Sequence, residues 1–123
     1  MRSKSMLFGL TGLVLALSAV MVMGAEKAAE PVTVTGELID TYCYSLMGAK
    51  GESHRQCAID CVKAGIPAGI LQDGTNKVYV LLPNKDKTGL PKEVLEKMAR
   101  KVTITGKVAM VGGSQFLTIE SIK

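Results

Sequence analysis

Two β-branched runs set the terms for any fold of this chain. Val32-Thr33-Val34-Thr35 and Val102-Thr103-Ile104-Thr105 both alternate apolar and polar residues, and each ends on a glycine, Gly36 or Gly106. Alternation at period two turns one apolar face to a core, and a glycine within a strand often marks a bulge or a sharp bend. The first run continues to Leu38-Ile39 and the second through Lys107 to Val108. The near-repeat predicts two equivalent curved strands in one strongly coiled sheet.

The segments between them fit that sheet. Gly69-Ile70-Leu71 leads into Asp73-Gly74, a hairpin signal, and Lys77 to Leu82 forms the returning strand, which Pro83 stops. Pro91 suits the first turn of a helix whose apolar stripe is Leu90, Val94, Leu95 and Met98, opposite Lys92, Glu93, Glu96 and Lys97. Gly112-Gly113 then turns the chain into a last strand, Gln115 to Ile122. The expected class is mainly β with two short helices, arranged as an OB-like five-stranded barrel with a helix before the fourth strand. A small open β-sheet with packed helices is the alternative.

The ends bound location and size. Arg2 and Lys4 precede Met6 to Met23, a run of 18 residues without a charge, and Gly24-Ala25-Glu26-Lys27 then turns small and charged. This reads as a signal peptide over residues 1–24, with Val22 and Gly24 at the −3 and −1 positions, or as an uncleaved N-terminal anchor. The expected location is periplasmic or secreted, with membrane attachment only if the segment stays. Residues 25–31 read as a flexible leader and residues 32–123 as one domain with a Cys/His helical insert at 43–65. Loss of Arg2 and Lys4 lowers the formal charge from +4 to about +2, so no basic nucleic-acid surface is expected. Tyr42, Tyr44, Tyr79 and Phe116 are too few and scattered for a base-stacking platform.

The chemistry concentrates in the insert. Ser53 followed by Gln56 forms a capping box that predicts a helix from His54 to about Ala64, with Gly65 and Pro67 closing it. On that helix His54, Cys57 and Cys61 fall within a window of about 60° on one face. Cys43, placed at the end of the first strand, is linked to that helix by a loop over Met47 to Gly51, long enough to fold it back. Cys43, His54, Cys57 and Cys61 are thus candidate ligands for zinc or copper, since zinc accepts a tetrahedral Cys₃His set and thiolates also favour Cu(I).

Disulfide use is the competing chemistry, because exported cysteines mostly pair. A Cys57–Cys61 bridge is disfavoured: at i and i+4 the Cβ atoms stand about 5–6 Å apart, whereas a disulfide wants about 3.5–4.5 Å. Cys43 with Cys57 or with Cys61 is the easier staple, and leaves one thiol for packing, ligation or a mixed disulfide with an envelope partner. Asp40 and Asp60 are candidate acceptors behind the histidine, and Tyr42 and Tyr44 candidate covers for the cluster. Met47 offers a thioether. No nucleophile–base–acid set, phosphate loop or paired-carboxylate motif occurs, so no enzymatic activity is expected.

Two resemblances follow from these residues. The helical Cys-x-x-x-Cys beside a histidine is similar in spacing to that of the envelope copper chaperones serving cytochrome oxidase. Those carry a thioredoxin fold and a proline after the second cysteine, where Val62 stands here, so the likeness is one of chemistry and not of descent. The pattern Gly36-x-Leu38-Ile39-Asp40-x-x-Cys43, His54-x-x-Cys57-x-x-x-Cys61 and Gly65-x-Pro67 resembles a group of short exported bacterial proteins. That resemblance implies an envelope location and an emphasis on the cysteines. It implies no mechanism.

Overall fold

The computed structural model describes residues 29–123. The proposed signal or anchor segment (residues 1–24) and the first part of the leader lie outside them. The strands are β1 (Val32–Asp40), β2 (Ala68–Gln72), β3 (Val78–Pro83), β4 (Lys101–Gly106), β5 (Val108–Val111), β6 (Ser114–Ile119) and β7 (Ser121–Ile122). Helix α1 (Thr41–Met47), a 3-10 turn (Glu52–His54) and α2 (Arg55–Lys63) separate β1 from β2, and α3 (Lys92–Glu96) precedes β4. The seven strands form one open mixed sheet in the order β5-β6-β3-β2-β1-β4-β7. The mainly β class is therefore as expected, but the sheet is open and has seven strands where a five-stranded barrel was expected.

The extra strands have a local cause. β4 and β5 are parted only by Lys107, and β6 and β7 only by Glu120. Thr105 pairs with Ser121 but Val108 pairs with Leu117, so the register shifts by one residue across the break. Such a shift is a bulge, which interrupts a ladder and bends the strand. The Lys107 amide donates to the Thr118 hydroxyl there at 3.0 Å. A Cβ on Gly106 would strike the Thr118 carbonyl oxygen.

Gly36 plays the matching part in β1. A Cβ on it would strike the Leu71 carbonyl oxygen, and Gly36 is where β1 changes partner. Val32 to Glu37 pair with β4, and Gly36 to Asp40 pair with β2. Where a bulge or bend was expected at both glycines, each is a point of close backbone approach. The apolar faces of this sheet close a core in which Leu38, Ile70, Ile104 and Leu117 are fully buried. Such side chains stabilise a fold by about 1.5–3 kcal/mol each. Val94 of α3 and Met98 just beyond it, both from the expected stripe, join the same core, and Ala58 packs α2 there. No helix among the described residues is long and apolar enough to cross a membrane.

Candidate metal centre

The insert differs from expectation in its first half. Cys43 does not end the strand; it stands in the first turn of α1, and the helical insert begins at Thr41. Asp40 causes this. Its backbone is still extended, and its carboxylate accepts the Cys43 amide at 2.8 Å, which is an N-cap. Gly48, at φ 64°, stops α1 by donating to the Tyr44 carbonyl at 2.8 Å. The expected loop from Met47 therefore begins one residue late.

The second helix also starts otherwise than the capping box predicts. Ser53 lies inside the 3-10 turn, and α2 begins at Arg55 with His54 at its cap and no side-chain cap bond. Other tethers hold this end. The Gly51 amide donates to the Glu37 carboxylate. The Arg55 guanidinium donates to the Met98 and Glu96 carbonyls at 3.1 and 2.8 Å, tying α2 to the end of α3. At the far end, Thr41 donates through both its amide and its hydroxyl to the Pro67 carbonyl.

These tethers bring the sequence-predicted ligands together. The ligand atoms of Cys43, His54 and Cys57 all lie within 4.8 Å of one another, as do those of Asp40, Cys43 and Cys61. Cys43 belongs to both groups. Its Sγ stands 3.9 Å from that of Cys61. Two sulfurs on one tetrahedral zinc, each about 2.3 Å from the ion, stand about 3.8 Å apart, whereas a disulfide requires about 2.05 Å. All three cysteines are free, so neither disulfide considered for Cys43 is formed.

Asp40 is the residue whose part was least legible. It is fully buried, and its second oxygen lies 3.0 Å from His54 Nε2. A carboxylate only accepts, so Nε2 donates, and in a neutral imidazole the Nδ1 lone pair is then open to a metal. Carboxylate-backed histidines are the common pattern at metal sites, because the outer bond fixes the tautomer and the ring orientation. Among the described residues no buried side-chain polar atom lacks a partner.

Burial also sets the state of the thiols. The Cys43 thiol is pushed up from 9.0 to about 12, first by burial and then by the neighbouring Cys61 and Asp40. Burial pushes the Cys61 thiol up as well. Without a cation both stay protonated at neutral pH. Cys57 is exposed.

Asp60 is exposed and accepts from the Gln56 amide at 2.9 Å. Tyr42 and Met47 are both exposed. Tyr44 lines a small polar cleft with Glu37, Lys50 and Gln72. In comparisons with known proteins, the chain matches no family, no curated protein and no solved structure.

Proposed function

We propose that this chain is an exported, non-catalytic domain that binds one soft transition-metal ion, Cu(I) or Zn(II), through Cys43, His54, Cys57 and Cys61. One observation carries the reading: the Cys43 thiol, brought in on α1, falls into ligand range of three donors on or beside α2. Asp40 serves as the outer partner that orients His54. A thiol that stays protonated is a poor nucleophile, and it becomes a ligand only on losing that proton. A bound cation supplies the charge that offsets the burial of a thiolate, and its binding releases the thiol protons.

Export is supported by the Arg2 and Lys4 charges, the uncharged run to Met23 and the small residues that follow. The physiological partner is an envelope protein, with no nucleic acid involved. For the sheet we propose an OB-like curl. If β4–β5 and β6–β7 are taken as two bent strands, each of the five resulting strands pairs with two others in the cycle 1-2-3-5-4-1, an order that supports a barrel.

A second reading rests on the Cys43–Cys61 pair, whose sulfurs, 3.9 Å apart, would have to close to about 2.05 Å to form a structural or redox disulfide. Anaerobic titration of the reduced chain with Cu(I) and with Zn(II), against a competing chelator, separates the two. One ion per chain, lost in Cys43→Ser, supports the metal site. No binding of either ion, with a Cys43–Cys61 bond forming in air, supports the second reading.

A further inference from the structure

We infer that the metal is cargo: this chain hands it through Cys57 to a partner that offers thiolate ligands. The inference rests on the metal-binding reading and adds a direction to it.

Two observations carry it. The first is a gradient of exposure across the four donors. Cys43 is 4% exposed, the His54 side chain 16%, Cys61 is half-buried and Cys57 is exposed. All four donors come from the protein, yet the set has a sealed side at Cys43 and an approachable side at Cys57. The second is that protein contacts tie the donor-bearing elements together: the Asp40 cap on α1, the Asp40–His54 bond and the Arg55 clamp on α3. Small metal-dependent domains lack such support and unfold when the ion leaves. A prearranged site with one exposed ligand can empty and refill without refolding.

The exchange is balanced without any redox change. A partner thiol attacks the ion from the exposed side, forming a new sulfur–metal bond and losing its proton. The Cys57 sulfur–metal bond breaks, and Cys57 takes up a proton. A second partner thiol displaces Cys61 in the same way; with the ion then held by two partner thiolates, Cys43 leaves it and takes its proton from water, and His54 leaves as the neutral imidazole.

The test loads the chain anaerobically with one Cu(I) and mixes it with a short peptide containing Cys-x-x-Cys as the acceptor. The expected result is a transfer rate that rises linearly with peptide concentration, leaving an emptied chain with an unchanged circular dichroism spectrum that reloads. A rate independent of peptide, or an emptied chain that has unfolded, overturns the inference while leaving metal binding intact. Failure to load Cu(I) at the first step overturns both. As a second arm, Cys57→Ser should weaken Cu(I) binding about tenfold while Cys43→Ser abolishes it; equal losses contradict the assignment of a sealed and an open side.

Discussion

Asp40 joins the two halves of the site, and its replacement is the sharpest structural perturbation available. The carboxylate accepts the Cys43 amide at 2.8 Å and the His54 ring at 3.0 Å, from a fully buried position. Asp40→Ala removes both acceptors. Loss of an N-cap costs about 1 kcal/mol, and loss of a buried hydrogen bond to a charged group costs about 1.5–3 kcal/mol. The expected destabilisation of the metal-free, reduced chain is thus about 3 kcal/mol, a large share of the roughly 5–15 kcal/mol that holds a small domain. Asp40→Asn retains the volume and an acceptor for the cap, so it should cost about half as much. Urea unfolding followed by circular dichroism at pH 7 measures both. In the metal-competition assay Asp40→Asn should weaken binding about 10- to 100-fold, because His54 loses its orienting partner. An Asp40→Ala change within about 0.5 kcal/mol of the parent, or equal costs for Ala and Asn, would refute this reasoning.

Two other predictions use different parts of the molecule. Gly36→Ala and Gly106→Ala each drive a methyl group into a carbonyl of the adjoining strand, and each should lower stability in urea unfolding by at least about 2 kcal/mol. Gly89→Ala, where a Cβ meets nothing within 4 Å, should change it by less than about 0.5 kcal/mol; similar losses at all three would contradict the close-approach account. The Cys43 thiol gives a pH dependence with a definite sign. The folded chain holds this proton up to about 12 while the unfolded chain releases it near 9.0, so the unfolded state binds fewer protons in between. The contribution is fully present below pH 9 and is lost as pH rises toward 12. Thermal unfolding of the metal-free chain from pH 8 to 11 should fall more steeply for the parent than for Cys43→Ala, and identical slopes would contradict the burial of that thiol.

The sheet was largely legible in the sequence because alternation and glycine placement act locally. Val34, Leu38, Val102 and Ile104 fell on the buried face as their period requires, and Gly36 and Gly106 stand at two special positions of the sheet, though as close approaches rather than the expected bends. What stayed hidden depends on contacts between distant segments or on single-residue register. The one-residue register shift across Lys107 and Glu120 depends on how the two strands pair, so β5 and β7 could not be separated from their neighbours. Helix α1 was obscured because Thr41, Tyr42 and Tyr44 favour strands. Its real signals were Asp40 as cap and Gly48 as stop, spaced for a short helix. The gathering of Cys43 with His54 and Cys57 was anticipated from a strand end, whereas a helix achieves it. The buried Asp40–His54 bond has no sequence period at all, since it forms only when α1 and α2 close together.

The central claim, one soft metal ion at the cysteine–histidine cluster, is tested most directly on protein recovered from the cell envelope without reductant or chelator. Native mass spectrometry, metal analysis and a thiol count on the same sample give a single answer. The account predicts one Cu or Zn ion per chain and three thiols, all three free to react once the ion is removed. Two cysteines already oxidised, with no metal bound even after anaerobic reduction and reconstitution, would contradict it.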